Sequence, residues 1–347
     1  MSRRMWLRTP TVAAACLAAA TLLLANRRPI LAQPQAPGSQ TAPRPTVPDA
    51  RAGTDATASN TVRVLHVQRS IHMLVGPAGN SVAQVGDDGV LVVDAQPGDA
   101  VAAMMAVIRT LSPKPVHTIV DTHLHDDRPG GNDALLKLRG PGPQARVMAH
   151  EAVLDRMVKA SSDASRPVAG ITINAVISLP INNTYTSPGR DFYLNGESIV
   201  LHHAPAAHTD GDTIVHFRGS DVLAVGDLLR PNAYPVIDRQ NGGSVDGLIA
   251  ALNHVLELTV PARYQEGGTY VVPGRGRLCD EADVVEYRDM ITIVRDRVRD
   301  LIGKGQTLVQ VKAARPSSDY DPEFGEATGP SSPDVFVESV YRSLGGK

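Results

Sequence analysis

Between Val62 and Asp94 the chain is a series of short β-branched runs, VRVLHV, IHMLVG, NSVAQVG and GVLVVD, separated by Gly, Asn or Asp. Runs of this length with turn residues between them predict antiparallel strands. From Asp99 the period lengthens. DAVAAMMAVIRTL has helical spacing, HTIVDT is a continuous apolar run of strand length, and GGNDALLKL is helical again. VMAH, a helix through Glu151–Ala160, and the strands IVLHHA, TIVHF and VLAVG follow. Ser244 caps a helix reaching Leu258, YVVPG is one more strand, and Asp280–Ile302 is the longest helix, with a short one at Thr307–Ala313. In the last segment Phe336, Val337, Val340, Tyr341 and Leu344 share one helical face, which predicts that this helix docks on the body. Residues 163–190 show no period and read as a loop or lid. No repeat of solenoid period is present. Strands first, then strands alternating with helices, predict an α/β fold of two mixed sheets packed together with helices outside.

The ends of the chain change this picture. Residues 1–32 carry five arginines and no acid, with an apolar run from Thr11 to Ala25. That run is shorter than the roughly 20 residues of a membrane span. A basic start before a short apolar stretch is the pattern of an export signal, with Ala32 as the favoured cleavage point. Ser2-Arg3-Arg4-Met5-Trp6-Leu7-Arg8 also resembles a twin-arginine motif, and an ordinary secretory signal remains the alternative. Residues 33–60 hold five prolines and no aromatic residue, so they read as a disordered linker. The expected organisation is therefore signal 1–32, linker 33–60, catalytic domain 61–315 and a C-terminal extension 316–347 with a docking helix. The destination is periplasmic or secreted, with no stable membrane anchor after signal removal.

Composition excludes other classes. The whole chain balances 34 Lys+Arg against 36 Asp+Glu, and five of those bases lie in the signal, so the remainder is acidic. Acidity and 4% aromatics speak against a nucleic-acid partner. Of two cysteines only Cys279 lies outside the signal, which rules out an intramolecular disulfide in the mature chain. A small-molecule substrate is the expected partner; oligomeric state has no sequence signal.

Four strings carry chemistry. Asp121-Thr-His123-Leu-His125-Asp126-Asp127-Arg128-Pro-Gly-Gly-Asn132 follows a strand and opens a helix, so His123 and His125 can turn both imidazoles toward one ion, with the Asp127 carboxylate beside them. His208, in the loop PAAHTDGDT between two strands, completes three neutral imidazoles, the donor set of a catalytic zinc with an open fourth position. Ala224-Val225-Gly226-Asp227 puts a carboxylate at the end of an apolar strand, and Val271-Val272-Pro273-Gly274-Arg275-Gly276 is the fourth string.

In this order, over about Val62 to Ile302, the four strings resemble the metallo-β-lactamase fold superfamily, and GRLCDEADVVEYRD looks like a periplasmic branch of generic hydrolases within it. The resemblance implies an αββα sandwich with metals at one edge of the two sheets. It implies that His123, His125 and His208 form a first zinc site, with Asp127 as second-site ligand and Asp227 as bridging ligand. Two departures matter. Arg128 and Arg275 stand where the family has metal-binding histidines, and a guanidinium has no lone pair to offer. One zinc is therefore expected, and the second site is in question. Exchanging a dication for two guanidinium groups conserves charge, which predicts that Arg128 and Arg275 pair with Asp127 and Asp227; the alternative is that they point outward.

The function so implied is an exported zinc-dependent hydrolase that turns a metal-bound hydroxide on an ester, thioester or amide-like bond. Asp127 would orient the water or accept its proton, and Arg128 and Arg275 would hold a substrate carboxylate or the developing oxyanion. The competing reading is a catalytically degenerate binding or sensor protein on the same fold; a weaker one is a β-lactamase. Of the remaining candidates, Tyr234 is a substrate-contact candidate, Cys279 is a soft ligand or an inert thiol, and Asp212 and Thr209 either orient His208 or cap its loop. His202, His203, His150 and His254 read as structural.

Overall fold

A computed structural model describes residues 61–162, 181–265 and 267–346. The export signal 1–32, the linker 33–60 and positions 163–180 of the expected loop or lid lie outside the described residues.

The first strands are β1 (Arg63–Gln68), β2 (Ile71–Gly76), β3 (Gly79–Gly86) and β4 (Gly89–Val93), joined by tight turns into an antiparallel meander. Parallel to β4 then run β5 (Val116–Val120), β6 (Arg146–His150) and β7 (Asn183–Tyr185), each entered after a crossover. The seven strands form one sheet in chain order. The second sheet has the order β12-β11-β10-β9-β8, built from β8 (Gly189–Leu194), β9 (Glu197–Ala204), β10 (Asp212–Phe217), β11 (Val222–Gly226) and β12 (Tyr270–Pro273). It is antiparallel except between β11 and β12.

Alternation along the strands explains the layering. In β4, Leu91 and Val93 face the second sheet, where they meet Leu201, Val215, Phe217 and Val272. Val90 and Val92 face away, onto Met104, Met105 and Ile108 of the Val101–Leu111 helix and Leu135 of the Asn132–Leu138 helix. Ile214, Leu223, Val225 and Val271 likewise face outward from the second sheet onto the helices Val245–Leu258, Glu281–Gly303, Leu308–Ala313 and Pro333–Ser343. Strands buried on both faces need near-continuous hydrophobic runs, which these have. The result is the expected helix–sheet–sheet–helix sandwich.

Helix ends follow local chemistry. Ser244, Asp280 and Thr307 are N-caps whose side chains accept from the third residue on, and the last two form capping boxes. The docking face expected of the last helix is buried at Phe336, Val337, Val340 and Tyr341, in one core with the outer face of the second sheet. One correction falls between the sheets. The period-free stretch 163–190 contains strand β7 and the start of β8, short edge elements whose pairing comes from their neighbours rather than from their own pattern.

Parallel pairing decides where chemistry collects. Strands β4, β5 and β6 end side by side, so Asp94, the 121–128 string and His150 reach one edge. On the second sheet the parallel pair β11 and β12 delivers Asp227 and Gly274–Arg275 to that edge, and β9 delivers the His208 loop. The amide of Thr213 donates to the carbonyl of Thr122 (2.8 Å), tying the two sheets there.

Candidate metal centre

His123, His125 and His208 converge, with ring centroids 5.0, 4.6 and 4.8 Å apart for the pairs 123–125, 123–208 and 125–208. Their nearest ligand nitrogens all lie within 4.8 Å of one another. His123 and His208 are buried, and the His125 side chain is 20% exposed.

The outward nitrogen of each ring is committed. His123 Nδ1 lies 3.1 Å from Thr122 Oγ1, which itself donates to Asp94. His125 Nε2 bonds Asp238 Oδ2 at 2.8 Å, and His208 Nδ1 donates to the Val236 carbonyl at 2.7 Å. Those partners assign the tautomers, leaving Nε2 of His123, Nδ1 of His125 and Nε2 of His208 with lone pairs turned inward. His125 Nδ1 and His208 Nε2 are 2.9 Å apart, while His123 Nε2 is buried without a hydrogen-bond partner. A buried nitrogen left unsatisfied is costly, and a cation beside it would supply the missing partner. These residues fit a metal bound by three imidazoles.

Burial holds His123 well below the ordinary imidazole pKa and lowers His208 as well, which keeps both neutral and able to donate. His125 moves the other way: burial opposes its charge, but the Asp238 carboxylate outweighs it and raises the pKa.

The neighbouring half of the site is built from opposite charges. Arg128 is fully buried. Its guanidinium donates to Asp227 Oδ1, to the Gly274 carbonyl (3.2 Å) and to the Asn80 carbonyl (3.4 Å), and its Nε stands 3.7 Å from Asp94. Arg275 donates to Asp127 Oδ2, with its Nε 3.8 Å from Asp227. The pairing anticipated from charge is thus present, and the outward-pointing alternative is not what the structure shows. Burial opposes the charge of Asp227, yet the Arg128 guanidinium beside it holds its pKa well below the usual carboxylate range. Burial raises Asp94 to about 6 despite Arg128 beside it. Donor sets of this kind do not fit a second metal: both carboxylates are engaged by guanidinium groups that cannot ligate.

Two glycines make room. A Cβ at Gly274 would run into Asp227 Oδ1 and, at 2.7 Å, Arg128. Gly226 has φ +52°, turning the chain out of β11 just before Asp227, and a Cβ there would meet Thr122 Oγ1 at 2.7 Å.

Several contributors escaped the sequence reading: Asp238, the Val236 carbonyl, Thr122, Asp94, and Asn80, whose Nδ2 donates to the carbonyls of Pro273 and Gly276 (both 2.9 Å) and so fixes the Arg275 loop. The Asp carboxylates were visible as residues, but nothing in the string marks a carbonyl that orients a ring. Tyr234 corrects an expectation: it is fully buried, packed on Phe336 (4.5 Å) with its hydroxyl on Asp321, so it contacts no substrate. Asp212 accepts from the amide and hydroxyl of Thr209 (2.7 and 2.8 Å), capping the loop rather than touching the His208 ring. Cys279 is buried, with its thiol donating to the Arg277 carbonyl. His150 stacks on His203 at 3.6 Å, and His202 bonds His254.

The profile of the metallo-beta-lactamase superfamily matches residues 75–272. The alpha subunit of 2,4-dinitroanisole O-demethylase from Nocardioides sp. (strain JS1661) is 28% identical over 153 residues, 43% of this chain and 40% of that protein. Among solved structures, an inverting sec-alkylsulfatase from Pseudomonas sp. superposes with a TM-score of 0.59 at 14% identity, over 81% of this chain and 50% of the sulfatase. A metallo-beta-lactamase from Pontibacter korlensis gives 0.50 at 16% identity, over 67% of this chain and 99% of that one. This chain spans half or less of the length of the demethylase subunit and the sulfatase. With a match to more than half of its residues and the expected sandwich around a three-histidine edge, the chain belongs to the metallo-beta-lactamase superfamily.

Proposed function

We propose that the protein is an exported zinc-dependent hydrolase with one metal, held by His123, His125 and His208, acting on an ester, thioester or amide-like bond of a small molecule. The observation that carries the reading is the contrast in donors: three inward imidazole lone pairs, one buried and partnerless, beside two carboxylates neutralised by arginines. When bound there, zinc supplies Lewis acidity and a water acidic enough to ionise near neutral pH. Arg275, whose side chain is 37% exposed, keeps guanidinium donors beyond its bond to Asp127 for a substrate carboxylate or a developing oxyanion. Asp127, whose Oδ2 accepts from Arg275, would orient a water or take its proton. Asp227, locked by buried Arg128, holds the local charge fixed. Export rests on the basic and then apolar segment 1–32.

The engaged state of Asp127 favours a second reading, a binding or sensor protein on the same fold. A β-lactamase is the weaker alternative. A panel of lactones, thioesters, chromogenic β-lactams, a secondary alkyl sulfate and 2,4-dinitroanisole, the last two suggested by the names of the relatives, separates them. Turnover of an ester or thioester, abolished by His123→Ala, is expected. Silence across the panel, with ligand binding intact in metal-free protein, would favour the binder.

A further inference from the structure

The segment Asp227–Asp238 leaves β11 and returns to the three-histidine edge, and its two ends do different things. Near its far end the Val236 carbonyl accepts from His208 Nδ1, and Asp238 bonds His125. Its middle is gripped by residues beyond the stretch that the superfamily profile matches. Tyr234 donates its amide to the Phe324 carbonyl (2.8 Å) and its hydroxyl to Asp321 Oδ1 (2.8 Å), with the Ser317 carbonyl at 3.1 Å. Ser331 Oγ donates to the Tyr234 carbonyl (2.9 Å) and accepts from Arg230 (2.6 Å), whose other nitrogen lies 3.7 Å from Glu326. The Tyr234 ring stacks on Phe336 of the last helix, and Tyr287 donates to the Ala233 carbonyl at 3.2 Å.

We infer that the C-terminal segment from Ser317 to Tyr341 is a positioning clamp for the metal centre, acting on His208 through Tyr234, Pro235 and Val236. The path is short and stiff. Val236 is two residues from Tyr234, and Pro235 between them has a fixed φ and little slack. Asp238 is held additionally by its own turn, where it accepts from the amides of Gln240 and Asn241 and from Asn241 Nδ2. The Asp238 amide also donates to the His208 carbonyl (2.9 Å), so the loop is fastened after Val236 by that bond and before it by the clamp, which bears on the Val236 carbonyl and through it on the His208 ring. A ring whose outer nitrogen loses its fixed partner binds metal more weakly, by about 10–100-fold when that partner itself is removed. One layer further out the expected loss is smaller, roughly threefold to tenfold. Arg230, Tyr234 and Ser331 are therefore positioning residues.

This inference rests on the three-histidine metal reading, and the test separates the two. Zinc dissociation constants of the full-length mature protein are measured by chelator competition for the parent, Tyr234→Phe, Ser331→Ala, Ser331→Thr, and Met104→Ala in the helix that covers the other sheet. Thermal midpoints are recorded in parallel, with the absorption bands of the Co²⁺-substituted forms. Tyr234→Phe and Ser331→Ala should weaken zinc binding several-fold and shift the Co²⁺ bands, while Ser331→Thr restores both. Met104→Ala should lower the midpoint and leave zinc affinity unchanged. If Tyr234→Phe and Ser331→Ala lower only the midpoint, as Met104→Ala does, the clamp is merely structural and the inference falls. If the parent itself binds no zinc, the metal reading fails instead.

Discussion

The histidine half and the arginine half of the site sit on the same sheet edge and solve opposite problems. On one side, three imidazole rings are turned by Thr122, Asp238 and Val236 so that their inner nitrogens face one another. On the other, two cations and their carboxylates satisfy each other: Arg128 with Asp227 and Asp94, Arg275 with Asp127. The first half leaves the buried His123 Nε2 without a partner; the second is closed by its own charges. A carboxylate beside three imidazoles is thus no guide to metal count until its own partners are known.

The histidine half depends most heavily on His208. His208→Ala should abolish zinc binding and activity together, measured by metal content and turnover; a zinc-loaded, active variant would dissolve the histidine half as described. Asp227→Ala tests the other half. It leaves the buried Arg128 without its main partner, and such uncompensated buried charges cost about 3–5 kcal/mol. Urea unfolding should show a loss of that order, and replacing both residues, as in Arg128→Met with Asp227→Leu, should recover most of it. A milder loss follows from Asp238→Asn, which weakens the hold on His125: zinc affinity should fall by about 10–100-fold with little change in fold. The subtlest change restores donors. Arg128→His with Arg275→His should raise metal content above that of the parent, by elemental analysis, because imidazole replaces a group with no lone pair.

Much of this is legible in the sequence. The continuous apolar run in GVLVVD and the 3.6-residue period of the Glu281–Gly303 helix express burial directly, and the caps Ser244, Asp280 and Thr307 are local chemistry. His123 and His125 are marked by their spacing, and Arg128 and Arg275 by where they stand in otherwise recognisable strings. What escaped depends on chain closure. Strands β7 and β8 exist because neighbouring strands offer free edges. Asp238 and Asn80 reach the site from distant loops, and Val236 contributes a carbonyl that any residue would carry. Tyr234 differs from its expectation because a polar aromatic near the site suggests a ligand contact, whereas Phe324, Phe336 and Asp321 bury it.

The asymmetry between the two halves comes down to a metal count. Elemental analysis of purified protein, saturated with zinc and dialysed against buffer, should return about one zinc per chain. About two tightly held zinc ions per chain would mean that Arg128 and Arg275 do not close the second half and that both halves bind metal.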